Sequence, residues 1–149
     1  MLIREAAASM TGTSHERDLQ AWAFEQARRL RAGESVDAEH IAAELETLGR
    51  AERNNLANRL AVLIQHLLKC EYQPGKHTRN WDATVREQRK RVNRPLHQNP
   101  SLRSQLDELI ADAWDTAVTF ASVETGIIEE DFPAACTYSV EFLLEGTDR

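Results

Sequence analysis

Apolar residues recur at three- and four-residue intervals in four long stretches of this chain, with most glycines and prolines between them. That spacing is the period of an α-helix buried on one face, and no alternating run suits a strand. Only six glycines and four prolines occur in 149 residues, so a loop-rich β-sandwich or a low-complexity linker is excluded. The expected architecture is all-α: an antiparallel bundle of about four main helices plus a short C-terminal helix. Residues 1–15 read as a loose N-terminal extension, with Met10 as an alternative start, and residues 16–149 as a single helical domain.

The punctuation sets the helix ends. Thr13 and Glu16 have capping-box spacing, with Ser14 and Asp18 as rival caps. The stripe Leu19, Trp22, Ala23, Ala27 and Leu30 follows, and Gly33 closes it. Asp37 caps the next helix, whose stripe is Ile41, Leu45 and Leu48, continued by Leu56, Leu60, Leu63, Ile64, Leu67 and Leu68. Gly49 marks a bend or break in it, and the helix reaches Tyr72 before the Gln73-Pro74-Gly75 turn. The third helix starts near Thr78 or Asn80, carries Trp81, Val85, Val92 and Leu96 inward, and kinks or ends at Pro95. Asn99 and Pro100 read as the cap and first residue of a fourth helix, with Leu102, Leu106, Leu109, Ala113, Ala117 and Phe120 on its stripe. Gly126 closes that helix, and Ser139 caps a short last one ending near Leu144.

Charge is uneven. Residues 1–75 carry a net −2, residues 76–103 a net +6 and residues 104–149 a net −10, within an overall −6. The expected arrangement is mutual cancellation of the basic and acidic blocks. The rival is a basic patch for phosphate or an acidic partner.

No Gly-rich phosphate loop, nucleophile elbow or zinc-type cysteine spacing is present, and Cys70 and Cys136 are too few for a disulfide framework. Cytoplasmic placement is the simplest reading, and no apolar run is long enough to span a membrane. Asp37 and His40 are the one acid–His pair at three-residue spacing, and Asp37 serves better as a cap. No metal or cofactor is expected. The polar residues set apart are Glu44, Glu46, His66, Trp81, Arg86, Gln88 and Arg89. His66 lies on an apolar face. Trp81 either anchors its helix or, with Arg79, Arg86, Arg89 and Lys90, offers a stacking ring beside phosphate contacts. Gln88 sits among apolar positions and requires a partner: a carbonyl near residues 73–78 or an acid of the second helix.

The segments WAFEQARRLRAG (22–33), IAAELETLGRAER (41–53), LAVLIQHLLKCEYQP (60–74), RNWDATVREQR (79–89), NPSL (99–102) and FPAACTYSVEFLL (132–144) occur in an order that resembles a bacterial and cyanobacterial family, domain of unknown function twenty-nine. Cys70 departs from that pattern, where a large aromatic is expected. The resemblance implies an all-helical fold and no reaction. The leading functional expectation is binding to another protein or to a second copy. Nucleic-acid binding through residues 79–94 is the alternative, and an enzyme or metal protein using His66 with Glu44 or Glu46 a further one.

Overall fold

In the computed structural model, residues 14–147 are described, and all regular structure among them is helical. Five α-helices follow in order: α1 (Leu19–Ala32), α2 (Ala38–Tyr72), α3 (Arg79–Gln98), α4 (Leu106–Thr125) and α5 (Val140–Glu145). Short 3-10 turns cover Pro74–Lys76, Pro100–Gln105 and Glu129–Asp131. The all-α expectation is met. Helix α2 is continuous through Gly49, so the helix does not break there.

Contacts divide the chain into two compact units, with the boundary between Leu48 and Gly49. The N-terminal unit is a helical hairpin. Asp18, not Ser14, caps α1: its Oδ1 accepts the Ala21 N–H at 3.0 Å. Thr13 lies outside the described residues. Gly33 ends α1 at φ 69°, a left-handed conformation glycine adopts without steric cost. Asp37 starts α2, its Oδ1 accepting the His40 N–H at 3.4 Å. The expected inward stripes are not found here. Trp22 is buried, but Leu19, Leu30, Leu45 and Leu48 are 49–63% exposed. The residues that face inward are instead those of a polar network centred on Trp22 and Asp37, described below.

The C-terminal unit holds the core. Its main buried residues are Leu56, Leu60, Leu63, Ile64 and Leu68 of α2, Val92 and Leu96 of α3, and Leu109, Ala113, Trp114, Ala117 and Ala121 of α4. Arg53 meets Glu108 at 3.3 Å, and Lys69 meets Glu124 at 2.7 Å, so α2 and α4 run in the same direction. Asn99, just after α3, donates to Glu52 at 3.2 Å, so α3 runs opposite to α2. Trp114 Nε1 donates to the Pro133 carbonyl at 2.9 Å and pins the segment after α4. Ser139 caps α5 as expected, accepting the Phe142 N–H at 3.0 Å.

Three local expectations are corrected. Pro95 does not end α3. The helix continues to Gln98, because Pro95 is buried and its carbonyl accepts both the backbone and side-chain N–H groups of Asn99. Asn99 is therefore spent on closing α3 and on Glu52, and does not cap α4, which starts at Leu106 after a 3-10 turn. Phe120, expected inside, is 54% exposed, because the buried face of α4 is centred on Ala113, Ala117 and Ala121.

Candidate functional site

The sequence-selected residues fall in three places. Glu44 lies in the N-terminal unit, where its Oε1 is 2.6 Å from His15 Nε2. The His15 ring stacks on the His40 ring with centroids 4.5 Å apart, and its edge meets Trp22 at 4.8 Å. His40 Nδ1 is 2.7 Å from Asp37 Oδ2, which also accepts the Trp22 indole N–H at 3.2 Å. Gln26, 3% exposed, accepts the Asp37 backbone N–H at 2.7 Å. Burial would raise the Asp37 carboxyl, but the His40 ring and amide and the Trp22 indole together hold it below its ordinary value. These contacts make two carboxylate-oriented imidazoles, stacked face to face. A carboxylate partner fixes ring orientation, as a general base requires, yet among the described residues no serine, threonine or cysteine is bonded to either ring. Glu46, also on this part of α2, is an engaged surface residue.

His66, Trp81 and Gln88 come together in the C-terminal unit. With Lys69, Thr78, Asn80, Thr84 and Glu87 they line an open cavity of about 660 Å³ between α2 and α3. Burial lowers the His66 pKa first, and the Lys69 ammonium adds to that. Lys69 lies over the Trp81 ring at 5.1 Å while ion-paired to Glu124. The His77 ring stacks on Trp81 at 6.1 Å. Trp81 is thus half-covered, an anchor rather than a free platform. The partner expected for Gln88 is not there: its Oε1 is buried with no hydrogen-bond donor.

Arg86 and Arg89 line a neighbouring cavity of about 460 Å³ with Cys70, Glu71, His77, Asp82, Tyr138 and Phe142. Arg89 is a bonding residue. Its Nε donates to the Phe142 carbonyl at 3.3 Å, and its guanidinium lies over the Phe142 ring at 5.2 Å. Asn93 donates to the Leu144 carbonyl at 2.8 Å, so two α3 side chains hold the carbonyls at the end of α5. A side-chain carbon on Gly146 would lie 3.0 Å from the Arg89 guanidinium. In the same cavity, Tyr138 donates to Glu71 at 2.6 Å, and His77 pairs with Asp82 at 2.6 Å. Cys70 is not an activated thiol: burial and the Asp82 charge both raise its pKa, which keeps it protonated.

The basic and acidic blocks are neighbours where α3 meets α5, but their charged side chains are not directly paired. Among the described residues, no ion pair joins residues 76–103 to residues 104–149. The acids of α4 pair with Arg53 and Lys69 of α2 instead, because α2 and α4 run side by side in register.

Sequence reasoning missed Trp22, Gln26 and His15. Gln26 carried a signal, a polar side chain four residues after Trp22 on the same helix face. Asp37 and His40 were seen as a spaced pair but not as the hub of a network. His15 precedes α1, and nothing in its local sequence indicated a contact with α2. Among the described residues, no group of three or more His, Cys, Asp or Glu side chains is arranged to hold a metal ion, and no helix is long and apolar enough to cross a membrane.

No curated protein and no solved structure matches the chain at a significant level. The sequence profile described as Domain of unknown function DUF29 matches residues 14–147, nearly the whole chain. With that match and the all-helical fold, the chain belongs to the DUF29 family.

Proposed function

We propose that this protein works by self-association, through the leucines its N-terminal helical hairpin leaves exposed. One observation carries the reading: Leu19, Leu30, Leu45 and Leu48 are 49–63% exposed. Leu45 and Leu48 are one turn apart on α2, and Leu19 and Leu30 are three turns apart on α1, so each pair shares a helix face. Four such leucines leave roughly 400 Å² of apolar surface open, the scale at which a patch on a soluble protein marks an interaction site. Exposed alanines at 23, 42 and 43 permit close helix approach. A second copy is the fitting occupant. Two helices cannot enclose such a face, whereas two hairpins related by a two-fold axis supply the four helices of a bundle. Charge agrees with that geometry, since α1 begins beside Glu16 and Asp18 and ends at Arg31, which has no ion pair. An antiparallel pairing brings opposite ends together. The free Cys70 and Cys136 support a reducing compartment such as the cytoplasm.

The test is light scattering on size-fractionated full-length protein over a wide concentration range. The expected mass approaches twice the 16.9 kDa of one chain. Leu45→Glu with Leu48→Glu returns it to the single-chain mass at unchanged helicity. A single-chain mass at every concentration, or a dimer indifferent to that pair, overturns the reading.

A further inference from the structure

Helix α3 carries a line of unpaired cations. Arg79, Arg86, Lys90 and Arg94 are all exposed, and among the described residues none of their side chains has an ion pair or hydrogen bond. At one hundred degrees per residue they fall within an arc of about 80° and span about 22 Å along the helix axis. The last three recur every about 6 Å, one turn apart. The two acids of the segment do not neutralise them: Asp82 is held by His77 at 2.6 Å, and Glu87 by Arg91 at 3.1 Å. Beside the stripe, a cleft of about 460 Å³ is lined by Arg59 of α2 with Arg91 and Arg94, and by the acids Glu52 and Glu87.

From this arrangement we propose that the α3 stripe binds the phosphate backbone of a nucleic-acid duplex. Three observations select that partner. A straight row of cations at regular spacing matches a regular row of phosphates, and needs no deformation of either. No large hydrophobic residue of segment 76–103 is exposed. The face therefore lacks the apolar centre of a protein interface and the insertable side chains of a membrane-surface helix. Trp81, the aromatic residue of α3, lies under Lys69 and beside His77, so it cannot serve as the stacking ring by which single strands are held. The contact is to backbone, without base reading. The acidic residues Asp107, Glu108, Asp112 and Asp115 belong to α4, so the overall negative charge is carried on another helix and orients the approach.

The test uses the full chain and a labelled 20-base-pair DNA duplex, with binding followed by fluorescence anisotropy from low to physiological salt. About four phosphate contacts give a slope of log affinity on log salt between about −3 and −4, a loss of roughly a hundredfold from 50 to 200 mM salt. The variant carrying R86Q, K90Q and R94Q weakens binding at least tenfold and flattens the slope to about −1, with unchanged circular dichroism. In the unmodified protein, bound duplex shields Lys90 from acetylation and leaves Lys76 open, a readout that needs no variant. No binding at 50 mM salt overturns the proposal. So does a triple variant that folds and binds as before, a Lys90 acetylated equally with and without DNA, or a preference for vesicles of anionic lipid over the duplex.

Discussion

The two units of this chain use the same kind of helix in opposite ways. In the C-terminal unit, leucines and alanines face inward and charged residues face out, so burial of apolar surface supplies the stability. In the N-terminal hairpin, the buried residues are Trp22 and Gln26, the network around them is polar, and the leucines lie outside. A polar interior is held by directional bonds, each of modest net value and costly to leave half-made. The hairpin is thus the region expected to open first and to respond to single polar changes, while its outer surface remains available to a partner.

The largest expected effect is in the core. Leu63→Ala removes a side chain with no solvent exposure from the middle of α2, and costs about 2–5 kcal/mol by urea denaturation. Equal truncation of Leu45, measured at concentrations where the chain is monomeric, changes stability by under about 0.5 kcal/mol, since that residue is 63% exposed in one chain. If the two losses are similar, the contrast between the units is wrong.

Asp37→Ala is next. It removes the cap of α2 and the partners of Trp22 and His40 together, and is expected to cost about 1–3 kcal/mol. The loss is local: amide exchange accelerates in residues 19–48 and remains slow in α4. Exchange that accelerates equally in both units breaks the comparison.

Acid sharpens it further. Arg28 and Arg29 hold the Glu25 carboxylate at about 2, below its ordinary 4.5, and Asp37 is also lowered. Carboxyls depressed in the folded state stabilise it above their ordinary pKa, and that contribution fades as pH falls through the folded value. The hairpin therefore loosens as pH falls below the ordinary Asp37 value of 3.8, chiefly through Asp37, because the Glu25 pairs are exposed and lie within one helix. His66 is lowered as well, by burial, so its contribution is present above its ordinary 6.5 and fades as pH falls below it. The C-terminal unit feels this earlier, milder step. Exchange measured along a pH series separates the two, and a single shared transition contradicts the assignment.

The smallest effect carries the opposite sign. Gln88→Met removes a buried carbonyl that has no donor, and is expected to leave stability unchanged or raise it by up to about 1 kcal/mol in thermal melts. Gly146→Ala, by contrast, combines a left-handed φ of 78° with a 3.0 Å approach to Arg89, and loosens the end of α5 by about 1–2 kcal/mol. A stabilising Gly146→Ala would show that Arg89 does not hold the α5 terminus.

Much of the fold was legible because it rests on local signals. Gly33 and Gly126 each end a helix in the left-handed conformation, and Asp18, Asp37 and Ser139 each cap one through a short-range bond. The site was less legible, because its contacts join residues far apart. His15 and Glu44 are separated by 29 positions, and Tyr138 and Glu71 by 67. Periodicity says that Leu19, Leu30, Leu45 and Leu48 lie on helix faces, but not which face meets protein and which is left open.

The sequence by itself determined the helical class, most helix ends and the basic character of residues 76–103, since each follows from backbone geometry or composition within a few turns. Tertiary structure decided where those charges find partners. Because α2 and α4 run in the same direction in register, the acids of α4 meet Arg53 and Lys69, and the cations of α3 are left without them. Ion pairing acts over a few ångströms, so it is set by which helices are neighbours, and charge totals along a chain carry no information about that.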